Sequence, residues 1–207
     1  IINQLKRLGC SCDWSRERFT LDEGLSQSVR HVFVKLYKDG LVYKDKRLSN
    51  WDPKLKTTIS DLEVIQKEVT GTLWYIDYEI ENGDGTITIA TTRPETMLGD
   101  TAIAVHPEDK RFTDMVGKFA IIPIVEKRIP IVADEYVKID QGSGAVKITP
   151  AHDFNDYELG KRHKLEIINI FNENAELNEN CPTEYQGLDR YTAREKIIIA
   201  LKEKEVL

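Results

Sequence analysis

From Trp74 the chain alternates with a period of two: Trp74, Ile76, Tyr78 and Ile80 fall on one side of an extended segment, and Tyr75, Asp77 and Glu79 on the other. That is the periodicity of a half-buried strand. The turn formers Asn82-Gly83-Asp84-Gly85 follow, and then the β-rich run Thr86–Thr91, so the stretch predicts a hairpin. Further short β-rich runs lie at 102–105, 119–125, 129–133, 145–149 and 167–171. Six or seven short strands with little helix between them predict a barrel-like sheet, not a doubly wound one.

Upstream the period changes. Leu25, Val29, Val32, Phe33, Leu36 and Tyr37 recur every three or four residues, Thr20-Leu21-Asp22-Glu23 reads as a capping box, and Gly40 ends the run. This predicts a helix over 20–40, with Trp14 and Trp51 packed on it. A second capping box at Thr192-Ala193-Arg194-Glu195 predicts a helix to about Lys204. The expected organisation is α+β: a flanking helical segment over 1–66, a β-rich core over 67–172, and a polar linker with a C-terminal helix packed on the core over 173–207.

The bulk properties narrow the class. Apolar residues make up 41% and charged residues 31%, the balance of a soluble globular chain. No apolar run approaches the ~20 residues of a membrane-spanning helix, so no membrane partner is expected. The N-terminus has neither Met nor signal peptide, as expected for a piece of a longer chain. Cys10, Cys12 and Cys181 form no C-x-x-C pair, which fits a reducing cytoplasm and leaves a Cys10–Cys181 contact open. Residues 1–68 carry 13 Lys/Arg against 10 Asp/Glu within a chain of net charge −6. Their densest basic stretch, Lys44 to Arg47 with Lys54 and Lys56, reads as a solvated loop or a phosphate-contacting patch.

Two segments could carry chemistry. Thr91-Thr92-Arg93-Pro94-Glu95-Thr96 ends a strand with several donors and acceptors and little apolar bulk, although β propensity and a turn also explain it. In "KITPAHDFNDYELGKRH", residues 147–163, Asp153 suits an N-cap and Asp156 the N3 position of a helix; capping alone accounts for both. Lys147 and Thr149 share one face of the preceding strand with Ala145. A Lys on a buried face demands a partner. A metal centre of His152, Asp153, Asp156 and His163 lacks the H-E-x-x-H form. No G-x-S-x-G, G-x-x-x-x-G-K-[ST] or G-x-G-x-x-G occurs either. What remains is a polar pocket with two carboxylates for a cation and Lys, Thr and Arg for oxygens. It suits an α-amino acid bearing a hydroxyl or an ester.

"ATTRPETMLGDTAIAVHPED" and "GSGAVKITPAHDFNDYELGKRH" resemble the editing insertion of the valyl-tRNA synthetases, a class I aminoacyl-tRNA synthetase family. The resemblance extends through "GCSCDWSRERFTLDEGLSQSVRHVFVKLYKDGLVYKDKRLSNWDPKLKTTISDLEV" and "YQGLDRYTAREKIIIALKEKEVL", and so covers nearly the whole chain. Leucyl enzymes are similar at T-T-R-P-D-T and H-D-x-R-D, from which Glu95 and Asn155 depart; isoleucyl enzymes carry T-T-T-P-W-T.

The resemblance implies a β-barrel-like editing domain with peripheral helices that hydrolyses the ester of threonine wrongly attached to tRNA(Val). It also implies a cytoplasmic location. The implied partners are the tRNA(Val) acceptor end carrying threonine and the rest of a parent synthetase, with the fragment itself monomeric. Neither metal nor cofactor is implied for editing. ATP and magnesium belong to the parent's aminoacylation site, whose H-I-G-H and K-M-S-K-S strings do not occur in these residues. Thr and Val are near-isosteres, so an apolar pocket rejects Thr weakly; these enzymes are the standard worked case.

Residue by residue, the resemblance makes Lys147, Asp153 and Asp156 catalytic. Asp156 would hold the substrate ammonium, and Asp153 would support the hydroxyl or order the water. Lys147 and Thr149 would bind the hydroxyl. Thr92, Arg93 and Thr96 would contact the terminal adenosine or the ester carbonyl, and Thr91, Glu95 and His152 complete the pocket.

Overall fold

The computed structural model describes residues 1–83 and 85–207, so Asp84 of the expected turn lies outside the described residues. The chain divides into two compact units, Ile1–Arg47 and Leu48–Leu207. The first holds α1 (Ile2–Arg7) and α2 (Glu23–Lys38). Helix α2 starts later than its capping box suggests, because Asp22, not Thr20, is the N-cap and accepts from the Leu25 amide at 2.8 Å. Gly40 ends it at φ +73°, where its missing Cβ permits the left-handed turn. Val29, Phe33 and Tyr37 of the apolar stripe are exposed.

The second unit opens with a small hairpin of β1 (Asn50–Asp52) and β2 (Thr57–Ile59). The Trp51 indole donates to the Glu173 carbonyl at 2.9 Å. Six strands then form one sheet: β3 (Trp74–Ile80), β4 (Thr86–Thr91), β5 (Ala102–Val105), β6 (Phe119–Ile121), β7 (Arg128–Ala133) and β8 (Ala145–Ile148), in the order β4-β3-β6-β7-β5-β8. All neighbours are antiparallel except the β5–β7 pair. The edge strands β4 and β8 come back against each other, which gives the expected barrel-like closure. Helices α3 (Phe154–His163) and α4 (Arg190–Glu203) complete an α+β architecture.

The alternation of β3 and β4 is reproduced: Ile76, Tyr78, Ile80, Ile87 and Ile89 are all buried in the main core. Strand β5 is buried on both faces. Ile103 and Val105 look into the main core, whereas Ala102 and Ala104 meet Val137, Ile148 and Leu159 of α3 in a second cluster. The small alanines let α3 lie close to the sheet.

Two expected strands differ. The 119–125 run is a strand only to Ile121, because Ile124 and Glu126 turn at positive φ. The 167–171 run forms a single bridge, Phe171 with Leu177. There the Ile170 amide donates to the His152 ring, and the Asn169 and Ile170 carbonyls accept from Asn178, so no ladder continues. Helix α4 is capped by Asp189 instead of Thr192, with the Asp189 carboxylate accepting from the Tyr191 and Thr192 amides. All three cysteines are free, with Cys181 buried. No helix among the described residues is long and apolar enough to cross a membrane.

Candidate active site

Strand β8 pairs with β5 so that Lys147 stands opposite Ile103 and Ala145 opposite Val105. Directly opposed residues share a face. Lys147 is therefore aimed into the main core, where it is 6% exposed. Its partner is Asp100, which is fully buried at the end of the 3₁₀ turn Pro94–Gly99. Lys147 Nζ donates to Asp100 Oδ1 at 3.0 Å and to Thr149 Oγ1 at 2.6 Å. The Thr149 hydroxyl in turn donates to Asp100 Oδ1 at 2.6 Å, and the Tyr78 hydroxyl donates to Oδ2 at 2.7 Å. Burial pushes the Asp100 carboxyl up, and Lys147, Thr149 and Tyr78 offset this only in part. Three donors converge on this carboxyl.

Behind Thr149 the strand stops at Pro150, and α3 begins. Asp153 is the N-cap, its Oδ1 accepting from the Asn155 amide at 2.8 Å and the Asp156 amide at 3.1 Å. The cap presents Asp156 back toward the strand end, where Oδ2 accepts from the Thr149 amide at 2.9 Å. Burial pushes the Asp156 carboxyl up to about 6; the Thr149 amide and Lys147 oppose this, while Asp153 and Asp100 reinforce it. Gly160 allows the close approach, since a Cβ there would sit 2.8 Å from Pro150 Cγ.

The Thr91–Thr96 segment meets this wall through Arg93, whose Nη1 donates to the His152 carbonyl at 2.9 Å. Thr91 Oγ1 accepts from the Arg93 amide, and Thr96 Oγ1 donates to the Arg93 carbonyl at 2.9 Å. These two threonines shape the turn, whereas Thr92 is exposed and Arg93 half-buried. Glu95 is wholly buried and forms a two-pronged pair with Arg194 of α4 at 2.7 and 2.8 Å, with Arg93 Nε 3.6 Å away. Its carboxylate thus ties the turn to α4.

His152 is pushed down to about 3, first by burial and then by Arg93 and Lys147. Its Nε2 accepts from the Ile170 amide at 3.0 Å, and its ring meets Phe171 edge-on. A neutral ring with that lone pair engaged orders the loop. His163 pairs instead with Asp134 at 2.8 Å, alongside Arg162. The four groups of the rival metal reading thus hold separate partners, and among the described residues no three His, Cys, Asp or Glu side chains converge as metal ligands.

Sequence reasoning singled out Lys147, Thr149 and Asp156, and these three do converge, together with Asp100. Asp100 itself was missed as a named residue, although a Lys on a buried strand face called for it. Tyr78 was read only as core, and Arg194 only as part of a capping box. Tyr136, whose phenol is pushed up by burial and by Asp153 and Asp156, stands at the same rim; no sequence pattern announced it. The residues of the basic stretch, Lys44 to Arg47 with Lys54 and Lys56, are exposed.

The chain is similar to known proteins in sequence and in fold. The valine–tRNA ligase of Pelagibacter ubique is 65% identical over 205 residues, covering 99% of this chain and 23% of the relative. That of Syntrophotalea carbinolica is 60% identical over 201 residues, covering 97% and 22%. The chain therefore spans under a quarter of the length of these relatives. Among solved structures, a ternary complex of Agrobacterium radiobacter K84 agnB2 LeuRS with tRNA and LeuAMS superposes with a TM-score of 0.53 at 21% identity, covering 98% of this chain and 34% of that one; this likeness speaks for the fold. The family model described as tRNA synthetases class I (I, L, M and V) matches residues 1–200. By that match this chain belongs to the class I tRNA synthetases.

Proposed function

We propose that these residues form the editing hydrolase of a valine–tRNA ligase and cleave the ester of threonyl-tRNA(Val). The observation that carries the reading is the buried Lys147–Thr149–Asp100 network set against Asp156. Asp156, ionised above about pH 6, offers its charge to the substrate ammonium. Two of the three N–H groups of Lys147 are engaged within the protein, and the third serves the threonine hydroxyl. Valine in the same place would leave these polar groups unpaired, at roughly 1–3 kcal/mol per group. Thr149, whose hydroxyl donates to Asp100, acts in recognition in this reading, and no acyl-enzyme forms.

Hydrolysis then proceeds by direct attack of water on the ester carbonyl. Asp153 orders the water, Arg93 and Thr92 contact the terminal nucleotide, and the free ribose hydroxyl assists. Positioning and electrostatic stabilisation supply the rate, so no cofactor enters the reaction. The partners under this reading are the acceptor end of tRNA(Val) and the remainder of a synthetase in the cytoplasm.

The test is deacylation of Thr-tRNA(Val) and Val-tRNA(Val) by the full-length protein carrying these residues. Threonine is expected to be released faster than valine. Asp156→Ala is expected to lower the threonine rate by about a hundredfold, in keeping with loss of one partner of a buried charge pair. Equal release of both amino acids, a trapped acyl-enzyme, or loss of activity in chelator with recovery in zinc would overturn the reading.

A further inference from the structure

Among the described residues, the Tyr78 hydroxyl is the donor that meets Asp100 Oδ2, at 2.7 Å, while Lys147 and Thr149 share Oδ1. Tyr78 is 0% exposed and lies in mid-strand on β3, paired with Ile87. For packing alone, a phenylalanine would fill this position. We propose that Tyr78 is a positioning residue of the site: by occupying Oδ2 it fixes the rotation of the Asp100 carboxylate and thereby the direction of every hydrogen bond presented to the substrate side chain. The proposal rests on the editing reading above and names a residue that does not itself touch substrate.

The argument follows the protons. A carboxylate held at both oxygens cannot rotate about its Cβ–Cγ bond without breaking a buried hydrogen bond. With Oδ2 held by Tyr78, Oδ1 stays toward β8 and takes the Thr149 proton. Thr149 Oγ1 must then accept from Lys147, and the ammonium is left with a single N–H in a defined direction. Without the phenol hydroxyl, Oδ2 is a buried oxygen with no donor. The carboxylate then turns to share Lys147 and Thr149 between its two oxygens, and the remaining N–H of the Lys147 ammonium loses its defined direction. A site whose donor and acceptor pattern is no longer fixed still binds the amino acid but distinguishes a hydroxyl from a methyl poorly.

Tyr78→Phe in the full-length protein tests this through the ratio of Thr-tRNA(Val) to Val-tRNA(Val) hydrolysis, kcat and KM measured separately. The expected result is a ratio lowered about tenfold, the worth of one well-placed hydrogen bond, with KM for tRNA unchanged. A smaller folded fraction would lower both rates together and leave the ratio alone. A wild-type ratio with only a lower melting temperature would make Tyr78 a core residue and overturn the proposal. If Tyr78→Phe fails to fold, 4-fluorophenylalanine at position 78 fills the space without donating and is held to the same outcomes. If the wild type hydrolyses neither ester, the editing reading fails by itself. A crystal structure of the variant then decides the positioning claim: Lys147 and Thr149 still sharing Asp100 Oδ1 overturns it, and their redistribution supports it.

Discussion

Asp156 and His152 stand four residues apart in one wall, and their titrations oppose each other. The Asp156 carboxyl is raised from 3.8 to about 6 by burial, so between those values the folded protein binds more protons than the unfolded chain. Its contribution to stability falls as pH rises through that window. His152 is lowered from 6.5 to about 3, so over its window the unfolded chain binds more protons and stability rises with pH. Where the windows overlap, the two slopes offset each other. Asp156→Asn removes the first slope and keeps an acceptor for the Thr149 amide. The variant is expected to be about 1–3 kcal/mol more stable than wild type at pH 8, because a buried carboxylate no longer has to ionise. Below pH 6.5 its stability should fall with acid more steeply than that of the wild type, as His152 is left unopposed. Calorimetry from pH 4 to 8 measures both effects; parallel profiles for the two proteins would show that Asp156 is not the raised group. Stability gained with hydrolysis lost marks a residue kept for its charge.

Helix α3 carries the second prediction, because its first turn is both a cap and part of the site. Asp153→Ala removes the acceptor for the Asn155 and Asp156 amides and should destabilise the protein by ~1 kcal/mol. Asp153→Asn keeps the cap but not the charge. The expected outcome is that Asn restores the melting temperature while hydrolysis stays depressed; full recovery of hydrolysis with Asn would make Asp153 a cap alone. The start of α3 was legible because Asp153 follows a strand ended by Pro150. The starts of α2 and α4 were displaced, because a nearby aspartate caps more effectively than the threonine of an S/T-x-x-E pattern: Asp22 displaces Thr20, and Asp189 displaces Thr192. The β3–β4 hairpin was legible from the period of β3 and the turn formers that follow it. The 167–171 run was not, since its amide at Ile170 is taken by a histidine ring 18 residues earlier in the chain. Local pattern gives no warning of such a claim. Within the site, Lys147 was found because a buried ammonium is anomalous on a strand face. Tyr78 stayed hidden because its ring satisfies the apolar pattern and only its hydroxyl has a polar role.

At the scale of the whole molecule, the site is held by contacts between residues far apart in sequence. Glu95 and Arg194 lie 99 residues apart, yet they join the 3₁₀ turn after β4 to α4, whose Ala193, Ile197 and Leu201 are buried in the main core. Glu95 is 0% exposed, so its charge depends on Arg194, with Arg93 as a more distant second cation. Arg194→Met leaves that carboxylate buried without its two-pronged partner, and a loss of about 3–5 kcal/mol is expected. Arg93 is the nearest replacement. If it turns to Glu95, it leaves the His152 carbonyl, and the two halves of the site lose their direct hydrogen bond. Hydrolysis should therefore fall by more than the folded fraction does. Glu95→Gln combined with Arg194→Met removes the unpaired charge and should recover most of the stability. It should also recover the hydrolysis, because Arg93 then has no carboxylate to move toward. A double-mutant cycle in urea, with Thr-tRNA(Val) hydrolysis followed on the same four proteins, separates the two roles. Recovery of stability without recovery of activity would mean that the pair acts on the site through something other than the placement of Arg93. Additive losses would mean that Glu95 and Arg194 are not coupled and that packing, not this pair, holds the turn to α4.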